Sequence, residues 1–352
     1  MASDWQGVRV AITGHTGFKG AWLAYMLQRL GAEVWGYALV SATTPNLYDA
    51  LRLDTVVHSY IGDVRDEIRL AAFFDEARPQ VVFHFAAQSL VRAGYDAPAE
   101  TFDVNVGGTI ACLERCLQRE TGIVVAATSD KCYRNDGTMA RPFVETDPLG
   151  GGDPYSASKS AAEIAIESYR TSFFRPRGLQ LASVRAGNVI GGGDWSEDRL
   201  FTDLARAAFE GRRLRIRYPR AIRPWQHVID ALRGYLAVAS AARRGERVDE
   251  AWNLGPPGSG ETTVEEVVQA FARATGKRLD VERVDSGSKP EASVLQLDAR
   301  KARERLGWET SLTVSRSVEL TAEWYRAFYD GENARELTSA QIDSVAWSST
   351  SP

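Results

Sequence analysis

Cysteine and histidine are scarce in this chain: 352 residues carry three Cys and four His. Cys112 and Cys116 stand at helical i, i+4 spacing with no further ligand types beside them, which excludes a metal cluster of the usual Cys/His kind. They read as small buried hydrophobes. Cys132 follows a charged pair, and nothing adjacent marks it as a nucleophile. No apolar run approaches the roughly 18 residues of a membrane span. The opening "MASDWQGVRVAIT" has no basic region ahead of an apolar core, so no secretory signal is visible and the expectation is a cytoplasmic protein. A net charge of −4 lacks the basic excess that a dedicated nucleic-acid surface needs. There is no internal repeat and no low-complexity block.

What is present is an alternation. "VRVAIT", "EVWGYAL", "HSYIGDV", "QVVFHFAA", "IVVAATS" and "LQLASVRAGNVI" read as strands, and helical spacing fills the segments between most of them. The strands are continuous apolar runs, as strands buried on both faces must be. The pattern predicts an α/β protein with a doubly wound parallel sheet of Rossmann type. Beyond residue 188 the chain becomes rich in Gly, Arg, Trp and Pro ("GGGDWSEDRLF", "RIRYPRAIRPWQHV"). The expected division is a dinucleotide-binding part over 1–188, with 225–255 returning to it. A smaller discontinuous lobe covers 189–224 and 256–330, and a polar tail over 331–352 ends in disorder. "SVLQLDARKARERLGW" reads as a strand followed by a helix.

Three motifs carry chemistry. In "TGHTGFKG", Gly14, Gly17 and Gly20 follow the first strand and open the first helix. Gly14 allows the tight turn, Gly17 a close backbone approach to pyrophosphate, and Gly20 close packing of the helix. The helix N-terminus then faces the phosphates. A bare glycine turn is the competing reading, and the strand–turn–helix context weighs against it. The second strand ends "GYALVSATTP" with no acid for the ribose hydroxyls and no Arg for a 2′-phosphate, so NAD versus NADP is left open; Ser41, Thr43 or backbone would have to serve. Asp63 and Val64 close the third strand, placed to meet adenine, although Asp63 also reads as an N-cap. Finally, "YSASK" sets Tyr155 and Lys159 at i, i+4, with the ammonium beneath the phenol, where a cation lowers the tyrosine pKa.

These residues, with "HFAAQ", Asn105 and Ser129, resemble the extended short-chain dehydrogenase/reductases. "GHTGFKGAWL", "AAQSLVR", "TSDKCY", "GGGDPYSASK", "RAGNVIGGGDW" and "AIRPWQHV" sharpen the likeness to the CDP-glucose 4,6-dehydratase group. The resemblance implies NAD as cofactor, held by Gly14, Thr16, Gly17, Phe18, Lys19, Gly20, Asp63, Val64, Ala86, Ala87, Gln88, Asn105, Tyr155 and Lys159. It implies CDP-glucose, or a similar nucleotide sugar, as substrate. The implied reaction oxidises C4, eliminates water across C5/C6 and returns hydride to C6. Ser129 then bonds the C4 hydroxyl beside Tyr155, and Asp130 protonates the departing C6 hydroxyl. The related dTDP-glucose enzymes carry Glu as the C5 base where this chain has Lys131; Lys131 is either a deprotonated base or an electrostatic stabiliser of the enolate.

The resemblance also implies substrate contacts from Arg92, Asn188, Arg199, Arg223 and His227, with Arg223 the foremost diphosphate partner. It implies a homodimer or a dimer of dimers, formed through segments 100–119 and 155–174. Two departures stand out: Ser129 replaces the group's usual Thr, and Pro290 replaces a His before Glu291. An epimerase, a dehydratase of another nucleotide hexose, and a non-catalytic dinucleotide sensor are the alternatives. The presence of Ser129, Tyr155 and Lys159 together weighs against the sensor.

Overall fold

The computed structural model describes residues 2–137, 141–256, 262–284 and 294–345. The loop at Pro290–Glu291 and the end of the polar tail, 346–352, lie outside the described residues. In chain order the strands are β1 (Arg9–Thr13), β2 (Glu33–Ala38), β3 (His58–Ile61), β4 (Val81–His84), β5 (Ile123–Ala127), β6 (Gln180–Ala186), β7 (Val189–Ile190), β8 (Leu214–Ile216), β9 (Gln226–His227), β10 (Ala251–Leu254) and β11 (Val281–Arg283). The longer helices are α1 (Phe18–Arg29), α2 (Glu67–Ala77), α3 (Gly108–Gln118), α4 (Pro154–Tyr169), α5 (Leu200–Phe209), α6 (Val228–Arg243), α7 (Val264–Thr275), α8 (Val314–Tyr329) and α9 (Ala334–Val345).

Seven strands form one sheet in the order β10-β6-β5-β4-β1-β2-β3, every pair parallel. The expected doubly wound sheet is therefore present. Alternate residues of one strand feed two separate cores. Val10 and Ile12 pack with Trp22, Leu23 and Met26 of α1 and with Leu232 and Leu236 of α6. Ala11 packs on the opposite face with Phe73 and Phe74 of α2 and with Cys112, Leu113 and Cys116 of α3. That double burial explains the unbroken apolar runs. It also makes Cys112 and Cys116 ordinary core residues, while Cys132 is buried in a separate small cluster with Tyr133, Phe143, Leu295 and Leu297. The order reverses between β1 and β4, and a crevice opens beyond their carboxyl ends, the place where such sheets hold ligands.

Several elements differ from the sequence pattern. The expected sixth strand breaks after Ala186, at Gly187, where the chain passes so close to Pro224 that a Cβ would lie 2.5 Å from its ring. Beyond it β7 leaves the main sheet and pairs with β9. The segment "FDVNVGGTIACLERCLQRE", 102–120, whose spacing predicts one long helix, is not one: a short helix, Pro98–Phe102, gives way to a wide π-type turn, Asp103–Gly107, and then α3. The segment from Val294 forms only isolated bridges, Val294 with Ile222 and Leu297 with Phe143, before the helix Arg300–Leu306. Within the tail, α9 docks on α1: the Tyr25 and Ser339 hydroxyls lie 2.6 Å apart, and Arg29 pairs with Asp343 at 2.8 Å. No helix among the described residues is long and apolar enough to cross a membrane.

Candidate active site

A cleft of about 630 Å³ opens at the β1–β4 switch point. Its floor is the glycine loop. Gly14 has φ +80°, and a Cβ there would lie 2.7 Å from the Ala86 amide nitrogen. A Cβ on Gly20 would lie 2.1 Å from the Gly14 carbonyl oxygen. Both glycines are thus required by the packing of the loop itself. Gly17, the N-cap of α1, is different: a Cβ would meet only the Gly14 carbonyl, at an ordinary 3.4 Å, so its outer side is open to a ligand. Gly20→Ala tests this distinction. Glycine to alanine in a helix gains up to about 1 kcal/mol from propensity, but a backbone clash of this depth costs about 1–3 kcal/mol. The expected net result is a lower melting temperature and at least about tenfold weaker NAD binding, since the helix start must shift; thermal unfolding and a fluorescence titration with NAD read both.

Around the loop, the Thr16 hydroxyl donates to the Leu39 carbonyl at 2.7 Å. Asp63 and Val64 line the cleft. The helix following them is capped by Asp66, whose carboxylate accepts from the Arg69 amide, so the N-cap reading belongs to Asp66 and not to Asp63. Asp63 instead binds Arg65 through both oxygens, at 2.6–3.1 Å, and this holds its carboxyl below the usual range. Arg65 is a cleft residue that the sequence reading missed. Ala86, Ala87 and Gln88 form the opposite wall. Asn105, buried in the π-type turn, fixes them: its side chain accepts from the Gln88 amide at 2.9 Å and donates to the Gln88 carbonyl at 3.0 Å.

At the far end, the chain leaves β5 into Ser129, Asp130 and Lys131. The Ser129 hydroxyl donates to Asp130 Oδ1 at 3.0 Å, and Lys131 Nζ lies 3.6 Å from the same oxygen. Asp130 is buried, and its Oδ2 has no hydrogen-bond partner among the described residues. Tyr155 enters from the first turn of α4, which begins where Asp153 accepts from the Ser156 amide at 2.9 Å. The expected lowering of the tyrosine pKa is not what the protein alone produces. Burial pushes Tyr155 up to about 12, opposed by a hydrogen bond with Ser129. Burial and the charge of Lys19 lower Lys159 to about 7, so it is only partly cationic near neutrality. Lys159 sits just beneath the cleft wall, its Nζ 3.5 Å from the Ala127 carbonyl. Lys19, half-buried in the cleft wall, is lowered to about 8 by burial and then by Arg199, and it lies 5.6 Å over the Phe85 ring.

A buried network that sequence reasoning did not find supports this end. Glu163, one turn beyond Lys159, accepts from the Thr128 hydroxyl, from Ser183 at 2.9 Å and from Arg185 at 2.7 Å. Arg185 also donates to the Tyr133 hydroxyl at 2.9 Å. The segment 128–133 is therefore tied at both ends to one ion pair.

The substrate-side residues separate. Arg92, Asn188, Arg199 and Arg223 all line the cleft. Arg92 lies 3.6 Å from Asp198, and Arg199 lies 3.5 Å from Asp194 and donates to Ser89 at 3.0 Å. Asn188 Oδ1 is buried without a partner among the described residues. His227 does not reach the cleft. It caps α6, its Nδ1 accepting from the Ile229 amide at 3.3 Å, and stands edge-on to Trp22. Burial lowers its pKa to about 3, which makes it a neutral cap beneath the site. Among the described residues, no group of three or more His, Cys, Asp and Glu comes together to hold a metal ion.

Residues 10–255 match the model of the NAD dependent epimerase/dehydratase family. The chain belongs to that family. Over 337 residues it is 43% identical to a CDP-glucose 4,6-dehydratase of Salmonella typhimurium strain LT2, covering 94% of this chain and 93% of the relative. It is similar to a dTDP-glucose 4,6-dehydratase structure from Bacillus anthracis in complex with NAD, at 25% identity and a TM-score of 0.76, covering 92% and 98% of the two chains. In fold it also matches a UDP-glucose 4-epimerase from Stenotrophomonas maltophila, at 23% identity and a TM-score of 0.81, covering 92% of this chain and all of that one.

As a member of the NAD dependent epimerase/dehydratase family the chain must accept a dinucleotide, and its residues fit one. The open side of Gly17 and the α1 N-terminus suit a pyrophosphate. With no acid at the β2 tip, Asp63 and Arg65 are the charged pair on the cleft's β3 side. The Oδ atoms left without partners on Asp130 and Asn188 leave polar capacity for a second ligand beside it.

Proposed function

We propose that this chain is a nucleotide-sugar 4,6-dehydratase that converts CDP-glucose to CDP-4-keto-6-deoxyglucose. The observation that carries the reading is the buried Asp130 carboxylate with the partly exposed Lys131 held 3.6 Å from it, in the same cleft as Tyr155. An epimerase expels nothing from C6 and has no use for an acid there; a dehydratase needs an acid and a base together. The 43% identical relative supports the same conclusion. NAD, which the Gly14–Gly20 loop would hold, would supply the acceptor and later the donor of the C4 hydride, and a positive charge in the site.

The protein's own groups do the rest. With the positive charge of bound NAD offsetting the burial that otherwise keeps its phenol neutral, Tyr155, bonded to Ser129, would act as a phenolate and take the proton of the C4 hydroxyl. The resulting ketone acidifies C5. Asp130 and Lys131 share one movable proton. Shifted from the ammonium to the carboxylate, it leaves an amine that can take the C5 proton and a carboxylic acid that can protonate the C6 hydroxyl. The elimination then restores the ammonium and the carboxylate, so the protons balance. Gln88, Asn105 and the glycine loop hold the cofactor side, and Arg92, Asn188, Arg199 and Arg223 hold the sugar diphosphate. His227 is left out of this set. In this reading 1–188 with 225–255 is the cofactor part, and 189–224 with 256–330 the substrate lobe. Exposed Phe102, Ile164 and Phe173, on or next to the helices expected to pair, support a homodimer.

Incubation of CDP-glucose with enzyme and NAD in heavy water tests the reading. The product should be lighter by one water apart from isotope, with one deuterium at C5. Deuterium placed at C4 of the substrate should reappear at C6. An unchanged mass would identify an epimerase, and a C6 hydrogen drawn from solvent would remove the internal transfer.

A further inference from the structure

We propose that Asp203 reads the nucleobase of the substrate, its carboxylate accepting a hydrogen bond from an exocyclic amino group. The cleft would then prefer a nucleoside diphosphate whose base carries an amine over one carrying a carbonyl at that place. This rests on the cytidine-nucleotide reading above and supplies its structural cause.

Among the described residues six carboxylates line the cleft: Asp63, Glu100, Asp130, Asp194, Asp198 and Asp203. Five have cationic partners. Arg65 lies 2.6 Å from Asp63 and 3.8 Å from Glu100. Lys131 faces Asp130, and Arg199 faces Asp194 at 3.5 Å. Arg217 and Arg92 face Asp198 at 3.1 and 3.6 Å. Asp203 alone has no ion pair within 4.0 Å and no side-chain hydrogen bond among the described residues, although it is only partly exposed. Burial, then the charge of Asp198, raises its pKa to about 6, opposed by Arg206, Arg217 and Arg212, so it is still mostly ionised at neutral pH.

A half-buried acceptor left without a donor is matched by a ligand that brings one. A diphosphate is the wrong ligand, because like charges repel; that part of the substrate goes to the cleft arginines. Asp203 stands in the first turn of α5 and lines the cleft, whose wall also includes Ile216, Tyr218 and Val264, apolar and aromatic faces for a flat ring. The donor expected there is a base amine such as the cytosine N4 group, a pairing that carboxylates make elsewhere. A uracil or thymine presents a carbonyl oxygen instead, and two acceptors would face each other.

The test is calorimetric titration of the NAD-loaded protein with CDP and with UDP. The wild type should bind CDP at least about tenfold more tightly than UDP. Asp203→Asn, whose amide offers both a donor and an acceptor, and Asp203→Leu should each shrink that ratio to within about threefold, chiefly by weakening CDP. Retained UDP binding shows that the variants are folded. A ratio that persists in both variants overturns the proposal. So does equal weakening of CDP and UDP, which would assign Asp203 to the ribose. So does a wild type that prefers UDP. Binding is read without turnover, so the outcomes separate. Enzyme that dehydrates CDP-glucose yet keeps its preference in Asp203→Asn leaves the function standing and removes Asp203. A loss of preference in protein that dehydrates nothing does the reverse.

Discussion

Asp130→Asn is expected to slow dehydration of CDP-glucose by about 10²–10⁴, the usual contribution of a positioned general acid. The amide has the shape of the carboxyl and can still accept from the Ser129 hydroxyl, so the turn after β5 keeps its geometry. What is lost is the carboxyl that the proposed mechanism uses as the acid, 3.6 Å from Lys131. Oxidation at C4 depends on Tyr155 and should survive largely intact. The 4-keto sugar that precedes elimination should therefore accumulate, and rapid quenching followed by mass analysis would detect it. If oxidation and elimination fell by the same factor, Asp130 would not be the acid, and the variant would be reporting damage to the cleft as a whole.

Glu163→Gln is expected to be the most damaging conservative change outside the cleft, at about 3–5 kcal/mol, because it leaves Arg185 buried without its counter-charge. Burial alone would raise the Glu163 pKa, but the Arg185 guanidinium outweighs it and holds the carboxyl below its ordinary value. The sign of the pH dependence follows. A group with a depressed folded pKa stabilises the fold above the unfolded carboxyl pKa of about 4.3, and that stability is lost as pH falls through the folded value. The gap between wild type and variant should thus be full at pH 7 and narrow below about pH 4, where the wild-type carboxyl also becomes neutral. Urea midpoints across that range measure it. A gap independent of pH would mean that packing, and not charge, makes the contribution. Because the same pair holds Thr128 and Tyr133 on either side of Asp130, the folded variant should also turn over more slowly.

The parts of the site that were legible in the sequence depend on short spacings. Gly14, Gly17 and Gly20 fall within one turn and the start of one helix, and Tyr155 with Lys159 share one helical face, so covalent geometry nearly determines where they lie. The Glu163–Arg185 pair was not legible. Its members are 22 positions apart, on a helix and a strand, and Arg185 stands within an apolar run that reads as core. Asp63 illustrates the same limit: the cap of α2 is Asp66, three residues on, and only the path of the loop decides between two acids. The Tyr155 pKa was misjudged for a related reason. Spacing reveals the nearby cation, but the depth of burial is a property of the folded surroundings.

By itself, then, the order of residues determined the strand–helix alternation, the parallel sheet that follows from it, the loop that receives a dinucleotide and the local Tyr155–Lys159 pair. Tertiary structure alone decided which cleft carboxylates are neutralised and which one, Asp203, is left over. It also turned His227 from a candidate ligand contact into a buried cap. The division has one cause: backbone geometry sets distances over a turn or two of chain, whereas ion pairing and desolvation depend on neighbours that are close only in space.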